Sequence, residues 1–329
     1  MIRIGILSFA HMHGASYAAS VKSLPGCELA GIADEDNKRA AEMAESLGVA
    51  RFDSFEDLCK SDIDGVIIAS DNKSHLPLTL LAVENGKHVL CEKPIARTVD
   101  EAQKMIEAAR KAGVILGTAF PCRFIPAMQR IKQMITGGEM GAILAIRGTN
   151  HGRMPGGWFV EKERSGGGAV IDHTVHVADL MRWFLGCNVK EVYAETDTLF
   201  YDMDIDDAGL LSMEFENGVI ATLDTSWSRP SSFPTWGDVT MKFVLENGTV
   251  EVDSFNQKAD FYSEADGMGH YVGFGGNMDE GLVANFVAAI EGKEDISATG
   301  EDGLRALEVA LGAYAVSYTH LTLPTKRIV

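Results

Sequence analysis

Short apolar runs alternate with amphipathic stretches through the first third of the chain. Runs rich in Ile, Val and Leu that end in turn residues predict buried parallel strands, and the stretches between them predict helices. The predicted strands are 2–7, 29–33, 66–69, 89–91 and 114–116, and the predicted helices are 13–23, 37–47, 76–85 and 98–111. Because strands that alternate with helices form βαβ units, we predict an α/β fold with a doubly wound parallel sheet of the Rossmann type.

The pattern changes after residue 119, where we place a domain boundary. Alternating apolar runs flank Asn217-Gly218 and Asn247-Gly248, and Asn-Gly between such runs predicts antiparallel hairpins. Further helices are predicted at 125–135, 175–184, 279–291 and 303–316, and a further strand at 143–147. We therefore predict a Rossmann domain over 1–119, an α+β domain with a large open antiparallel sheet over 120–316, and a disordered or foreign tail over 317–329.

Composition narrows the class of partner. The net charge of −18 comes without a basic stripe, which argues against nucleic acid. No apolar run reaches the length of a membrane span and the chain opens directly with a strand, so we expect a cytoplasmic protein with no membrane partner. The five cysteines are odd in number and form no C-x-x-C pair, so we expect free thiols in a reducing compartment.

The segment Glu92-Lys93-Pro94 follows the fourth predicted strand directly. Proline ends the strand and holds the residue before it in an extended conformation. Lys93 is thereby placed at the carboxyl end of a parallel strand, the edge at which open α/β sheets bind ligands. A solvated lysine in a turn is the simpler alternative for an isolated Lys-Pro pair.

The turn after the first strand lies where a dinucleotide fold carries G-x-G-x-x-G. Ser8, Ala10 and His13 occupy the three glycine positions. Ser and Ala still permit fairly close approach of a phosphate, although a plain turn fits this segment equally well. Asp34 ends the second strand, where an acidic residue binds ribose hydroxyls. Glu35 and Asp36 beside it would repel a 2′-phosphate, so we expect NAD rather than NADP.

A second group of polar residues begins a predicted helix. Asp172, His176 and Asp179 are spaced i, i+4 and i+7, so they share one helix face. A carboxylate beside an imidazole suits proton transfer. Two alternatives stay open: Asp172 as a helix N-cap, or a metal site formed by Asp172, His173 and His176. Since no further ligand cluster is evident and hydride transfer needs no metal, we expect none.

Together these segments resemble the Gfo/Idh/MocA family of nicotinamide-dependent oxidoreductases. Glu92-Lys93-Pro94 matches the family's E-K-P, and the segment from Asp172 to Asp179 matches D-x-G-x-H-x-x-D, with Thr174 in place of glycine. The segment 70–75 is similar to T-P-N-x-x-H. The resemblance covers residues 1 to about 316.

The resemblance implies oxidation of a secondary alcohol on a sugar, cyclitol or glycoside, or the reverse reduction. Lys93 would hydrogen-bond the reacting oxygen, His176 would take the hydroxyl proton, and Asp172 would orient the site. The family's open sheet often forms dimers or tetramers, so we expect a homo-oligomer. Two alternatives are an oxidoreductase that retains and recycles its NAD, and a non-catalytic sugar sensor that binds NAD.

Two sets of contact residues follow from these matches. Arginine can clamp polar groups and tryptophan can stack on a sugar face. His11 and His13 are either substrate or cofactor contacts or part of a plain turn. His151 and Arg153 are further candidate substrate contacts, with a structural role as the alternative. The cofactor set is Ser8, Phe9, Ala10, His11, Met12, His13, Asp34, Ser70, Asp71, Asn72, His75, Glu92 and Lys93, and the substrate set is Arg123, Trp158, Arg164 and His173.

Overall fold

A computed structural model describes residues 1–138, 140–264, 267–273, 275–319 and 323–324. The chain divides into two compact units. The first comprises Met1–Pro121, Glu161–Gly166 and Asp279–Leu307, and the second comprises Cys122–Val160, Gly167–Met278 and Glu308–Val329. The first unit therefore takes up two later segments in addition to the N-terminal residues.

Alternating strands and helices build the N-terminal part of the first unit. They are β1 (Ile2–Leu7), α1 (His13–Ser23), β2 (Cys27–Ala33), α2 (Asn37–Leu47), α3 (Phe55–Lys60), β3 (Gly65–Ile68), α4 (His75–Glu84), β4 (His88–Cys91), α5 (Val99–Ala112) and β5 (Leu116–Thr118). The predicted bounds of β1, α1 and α2 are confirmed. The short helix α3 was not predicted, and β5 begins two residues later than expected.

The five strands form a parallel sheet in the order β2-β1-β3-β4-β5. The order reverses direction between β1 and β3, and a crevice opens at the carboxyl ends of strands at such a switch point. The Rossmann-type prediction is confirmed. The segments after β1, β3 and β4 all begin at this edge, and they contain most of the predicted cofactor residues.

The remaining elements follow in chain order. They are α6 (Pro126–Thr136), β6 (Ile143–Gly152), α7 (Lys162–Ser165), α8 (Ala169–Leu185), β7 (Val189–Asp197), β8 (Ala208–Phe215), β9 (Ile220–Ser226), β10 (Gly237–Leu245), β11 (Gly248–Asp253), β12 (Lys258–Ser263), β13 (Met268–Gly273), α9 (Met278–Ile290), α10 (Gly300–Thr319) and β14 (Leu323–Pro324). Both Asn-Gly hairpins are present, as β8–β9 and β10–β11. Helix α8 begins six residues before the predicted start, and β7 was not predicted.

The second unit is built on a seven-stranded sheet in the order β11-β10-β6-β9-β8-β7-β14. The predicted open antiparallel sheet is confirmed, with one addition. The central strands β6 and β9 run parallel, from Ala145 opposite Ile220 to His151 opposite Ser226, so the sheet is mixed. The short strand β14 pairs with β7; the rest of the predicted tail after Thr319 lies outside the described residues.

Helix α8 covers one face of this sheet. Its buried residues Val177, Met181 and Phe184 pack in one core with strand residues such as Phe243. A Cβ atom at Gly148 of β6 would lie 2.6 Å from Val177 and 2.9 Å from Met181. Glycine at 148 therefore permits α8 to approach the sheet closely, which fixes the height of the helix above β6.

The opposite face of the sheet is open within the described residues. Apolar side chains are exposed along it at Tyr193, Leu210, Ile220 and Val244. These residues lie on four different strands of one sheet face, so they form one apolar patch rather than scattered exposed side chains. In the described ranges, no helix is long and apolar enough to span a bilayer.

The five cysteines all lie in the described part of the chain, and none of them forms a disulfide.

A charged cluster on β6, β9 and β10 centres on His151. Its Nδ1 atom lies 3.0 Å from Asp238 and its Nε2 atom 3.1 Å from Asp224. Arg229 also pairs with Asp238. Burial lowers the pKa of His151, but hydrogen bonds to Asp224 and Asp238 outweigh burial and raise that pKa to about 9. The imidazole is thus held as a cation between two carboxylates.

This cluster predicts a loss of stability in alkaline solution. Because the folded-state pKa of His151 lies above its unfolded value, its contribution is complete below about pH 6.5 and disappears as the pH rises through about 9. We expect the free energy of unfolding to fall by roughly 1–3 kcal/mol over that window. Urea unfolding at intervals from pH 6 to 10 measures it. Asp224→Asn is expected to flatten the profile, and equal slopes for both proteins would contradict the assignment.

Candidate active site

The turn after β1 keeps the backbone of a glycine turn without its glycines. Ser8 has φ of 71°, and it is the only residue other than glycine with positive φ among those described. A left-handed conformation costs a serine roughly 1–2 kcal/mol. Its hydroxyl accepts a hydrogen bond from the Ala10 N–H at 3.1 Å, which supports the turn. The first position of the predicted fingerprint therefore retains its shape although the residue has changed.

Helix α1 starts at the end of this turn. His13 is its first residue, and the preceding Met12 contributes no side-chain cap. The N–H of His11 donates to the carbonyl of Ala69 at 2.9 Å, which fixes the turn beside the end of β3. The N-terminus of a helix attracts a phosphate through its N–H groups and dipole, although the His13 N–H already donates to His11 Nδ1 at 3.2 Å. This edge therefore fits the diphosphate of a dinucleotide.

Asp34 lies at the end of β2 as predicted, but its carboxylate is buried and both of its oxygens accept hydrogen bonds within the protein. One oxygen accepts from the Phe9 N–H at 2.7 Å and from Arg39 Nε at 2.8 Å. The other accepts from the Asp36 N–H at 2.7 Å and from Arg39 Nη2 at 2.7 Å. Since a carboxylate has about four acceptor positions, a ribose hydroxyl can bind only if Arg39 moves.

Arg39, which the sequence analysis did not single out, therefore affects the nucleotide preference. Its side chain is 32% exposed, and its guanidinium also pairs with Glu35 at 2.7 Å. The carboxylate of Asp36 caps α2. Glu35 and Asp36, the two residues expected to repel a 2′-phosphate, are thus each bound to other groups, as is Asp34. A nearby arginine is the residue type that accommodates that phosphate.

We predict that Arg39→Ala sharpens selection for NADH over NADPH by roughly 10–100-fold, or about 1.4–2.7 kcal/mol. The change removes a cation near the 2′ position and frees Asp34 for ribose hydroxyls. Fluorescence titration with both nucleotides measures the ratio. Lys38→Ala is the control, because Lys38 is the preceding residue on α2 and its side chain is 85% exposed. An unchanged ratio in Arg39→Ala would exclude this role.

The segment after β3 is braced by later residues of the same unit. Asp71 accepts from the Ser74 N–H at 3.1 Å and from Arg164 Nε at 2.6 Å. Asn72 donates to the carbonyl of Ser165 at 2.7 Å. Ser70 is buried and its hydroxyl donates to the carbonyl of Asp71. Arg164, proposed from the sequence as a substrate contact, is thus a partner of Asp71.

Buried polar groups surround the Glu92-Lys93-Pro94 segment. Glu92 is fully buried and accepts from Tyr17 Oη at 2.5 Å, and its carboxylate lies 2.8 Å from His13 Nδ1. Burial raises the pKa of Glu92, but the positive charges of His11, His13 and Lys93 outweigh it and hold that pKa well below its usual range. Lys93 is 4% exposed, so its ammonium lies in a largely dehydrated site beside an ionised carboxylate.

His75 stabilises the same segment through a hydrogen bond. Its Nδ1–H donates to the carbonyl of Pro94 at 3.0 Å, and the imidazole is completely buried. Burial lowers the pKa of His75 and outweighs the nearby carboxylates, so the imidazole is neutral near pH 7. The structure places His75 as a support of the loop that carries Lys93.

The first turns of α8 carry the second group of predicted residues. Asp172 lies inside the helix, and its Oδ2 atom accepts from Trp227 Nε1 at 3.2 Å. His173 donates from Nδ1 to the carbonyl of Asn150 at 3.0 Å and is completely buried. His176 lies one turn after Asp172 and is 7% exposed. Trp227 fixes the carboxylate of Asp172, a contact that spacing alone does not reveal.

The remaining predicted substrate residues lie in well-packed surroundings. Arg123 is 3% exposed and forms two hydrogen bonds to Asp179, at 2.7 and 2.5 Å. Trp158 is 7% exposed and stacks on Phe159 with ring centroids 3.9 Å apart. Asp179 therefore serves Arg123 rather than the face shared by Asp172 and His176, and Arg123 serves to anchor α8.

The N-terminus of α8 is capped by residues distant in sequence. Asp206 accepts from the Gly168 N–H at 3.0 Å and the Val170 N–H at 2.7 Å. Tyr314 Oη accepts from the N–H groups of Gly168 and Ile171. A Cβ at Gly168 would lie 1.8 Å from the Asp206 carbonyl oxygen, which explains why position 168 is a glycine. The cap aligns the turn that contains Asp172.

We predict that Asp206→Ala lowers the free energy of unfolding by about 1–3 kcal/mol, because two buried N–H groups lose their acceptor. Urea denaturation monitored by circular dichroism measures the change. Asp204→Ala is the matched control, since Asp204 is exposed in the same loop, and it should change stability by less than about 0.5 kcal/mol. Equal losses in the two variants would show that the cap does not stabilise the helix.

Known proteins match both halves of the chain. Residues 2–120 match the oxidoreductase family with an NAD-binding Rossmann fold, and residues 128–251 match the Gfo/Idh/MocA C-terminal domain. The 1,5-anhydro-D-fructose reductase of Ensifer adhaerens is 30% identical over 306 residues, 89% of this chain and 90% of the relative. The myo-inositol 2-dehydrogenase of Thermotoga maritima is 28% identical and covers 95% of both chains.

Solved structures show the same fold. A probable dehydrogenase from Thermotoga maritima is 25% identical with a TM-score of 0.86, covering 100% of both chains. GenD2 from gentamicin A biosynthesis, solved in complex with NAD, is 22% identical with a TM-score of 0.89, covering 98% of this chain and 96% of its own. With both halves matched and a relative at 30% identity, the chain belongs to the Gfo/Idh/MocA family of NAD-binding oxidoreductases.

Proposed function

We propose that this dehydrogenase or reductase acts on a secondary alcohol or ketone of a sugar or cyclitol, with Lys93 and His176 serving the reacting oxygen. The observation that carries the proposal is the position of Lys93. It follows β4 at the carboxyl edge of the Rossmann sheet, buried and adjacent to the ionised Glu92. That edge also carries the turn from Ser8 to His13, which fits a diphosphate.

The ammonium of Lys93 would stabilise charge on the substrate oxygen. Negative charge develops there as the carbon–hydrogen bond breaks, and a fixed donor in a dehydrated site stabilises that charge more than the ground state. When bound, NAD would supply the hydride acceptor, and the turn after β1 and the end of β3 would hold it. Glu92 and His75 keep the lysine-bearing segment in place, so little reorganisation accompanies the reaction.

The imidazole of His176 would accept the hydroxyl proton. Asp172 lies one turn earlier on α8, and its carboxylate is fixed by Trp227. A neighbouring carboxylate stabilises the protonated imidazole that forms when the alcohol is oxidised. The relatives with named activities include enzymes for inositols and for 1,5-anhydro-D-fructose, which supports a polyhydroxylated substrate.

The first experiment measures the ultraviolet absorbance of freshly purified protein and then titrates it with NADH and NADPH. Protein that is free of nucleotide and binds NADH supports an ordinary dehydrogenase, and a panel of sugars, cyclitols and glycosides then identifies the substrate. Nucleotide retained through purification supports the oxidoreductase that recycles its NAD. Binding without turnover across the panel supports the sensor, and binding of neither nucleotide would overturn the proposal.

We also propose that the open face of the second sheet binds a second copy of the chain. The apolar residues Tyr193, Leu210, Ile220 and Val244 are exposed there, and exposed apolar patches of this kind mark interfaces. Charged neighbours of both signs, such as Arg147, Lys242 and Glu214, suit a self-complementary contact.

Sedimentation should show dimers or larger oligomers, and Ile220→Lys should dissociate them. A monomeric parent protein would exclude this interface.

A further inference from the structure

Two histidines and a glutamate converge at the carboxyl edge of the first sheet. The ligand atoms of His11, His13 and Glu92 all lie within 4.8 Å of one another. The Nδ1 atoms of His13 and His11 lie 2.8 and 3.6 Å from the same oxygen of Glu92. Within the described ranges this is the one group of three such ligands that meets this distance.

Each member is held by the backbone of a regular element or a tight turn. The His11 N–H donates to the carbonyl of Ala69 at 2.9 Å, which fixes the turn that carries both histidines. The His13 N–H donates to His11 Nδ1 at 3.2 Å, and coordination through that nitrogen would replace this hydrogen bond. The N–H of Glu92 donates to the carbonyl of Ile68 at 3.0 Å, at the end of β3. Ligands on fixed elements are preorganised, which lowers the cost of closing them around an ion.

We infer that His11, His13 and Glu92 form a binding site for one divalent transition-metal ion, with Zn²⁺ as the best match. Imidazole nitrogen with carboxylate oxygen is a ligand set that suits zinc, and three protein ligands leave one position for water. Hydride transfer requires no metal, so this site would be additional to the proposed reaction. Two of its ligands, His11 and His13, lie in the segment where a dinucleotide fold has G-x-G-x-x-G.

The spacing of the ligand atoms agrees with such an ion. Bonds of about 2.1 Å at tetrahedral angles place neighbouring ligand atoms about 3.4 Å apart. The two measured separations, 2.8 and 3.6 Å, lie on either side of this value. Side-chain shifts of a few tenths of an ångström would therefore admit the ion in place of the proton shared by His13 and Glu92.

The surrounding charges include one that opposes a cation. Glu92 is completely buried, and Asp279 is a second carboxylate near His13. The ammonium of Lys93 is also near His13, and its positive charge would repel a bound cation. The two carboxylates outnumber the ammonium, and Tyr17 Oη at 2.5 Å from Glu92 helps to hold that carboxylate in the site.

The test is metal binding by the full chain after dialysis against a chelator. We expect calorimetry with Zn²⁺ to give one site with a micromolar or lower dissociation constant, and Co²⁺ to give the visible absorption of four-coordinate cobalt. His13→Asn and Glu92→Gln should each weaken binding by at least about 100-fold. His88→Asn and Glu45→Gln are the controls, and they should bind as the parent does.

Three results would overturn the inference. They are no saturable binding up to about 1 mM metal, equal affinity in His13→Asn and the parent, and loss of affinity in the control variants. Circular dichroism establishes that each variant is folded, and His11→Asn provides a second ligand variant if Glu92→Gln does not fold. Because the readout is metal binding, its failure leaves the proposed hydride transfer untouched, and a failure of hydride transfer leaves the metal site untouched.

Discussion

Lys93→Met is expected to lower kcat by about three orders of magnitude. Methionine keeps the length and packing of the buried stem but removes the donor at the reacting oxygen. Loss of one preorganised donor costs about 10²–10³ in kcat, and the loss of a charged donor should lie at the upper end. Steady-state kinetics with NAD and the substrate found in the panel measure the effect.

Two controls separate this chemistry from damage to the fold. Lys60→Met removes a lysine that is 61% exposed on α3, and it should leave kcat unchanged. The dissociation constant for NADH, measured for Lys93→Met, shows whether the nucleotide still binds. A Lys93→Met enzyme that turns over at the parent rate would show that the amine does not stabilise the reacting oxygen.

His176→Ala is expected to lower kcat by about 10²–10⁴-fold, the usual contribution of a positioned acid or base. The side chain is 7% exposed, so alanine leaves a cavity beside Asp172 that free imidazole can enter. We therefore expect added imidazole to restore part of the activity. Rescue distinguishes proton transfer from packing, because a purely structural histidine would not respond to a soluble base.

The matched control for His176 is His88→Asn. His88 Nδ1 accepts from the Ile115 N–H at 3.0 Å, and the asparagine oxygen can take over that hydrogen bond. This variant should retain parent activity with and without imidazole. If His176→Ala lost no more activity than His88→Asn, His176 would not be the base, and the proton would have to leave by another route.

The elements predicted correctly are those with strong local patterns. The apolar run of β1 and the Asn-Gly pairs of the two hairpins depend on residues close in sequence, and both are confirmed. The parallel pairing of β6 with β9 depends on residues about 75 positions apart, which no local period encodes. Strand β7 was not predicted because an irregularity between Val189 and Glu191 interrupts its alternation of buried and exposed residues.

The candidate active site also has features that the sequence predicts and features that it does not. The carboxyl edge of the first sheet was predictable, because parallel strands bring their ends together whatever the side chains are. The partners of the side chains were not. Arg39 lies only five residues after Asp34, and an arginine in the helix after β2 was a usable signal. Asp206 and Tyr314 gave no such signal, because their partners on α8 are reached only through the folded chain.

The left-handed serine at position 8 has a consequence for how such enzymes are recognised. A search for three glycines discards this chain, although the turn those glycines serve is present. The chain thus has the left-handed backbone at this position without the residue type that usually supplies it. Genome surveys that define cofactor dependence by residue identity will therefore undercount dehydrogenases, and a survey by backbone angle would recover them.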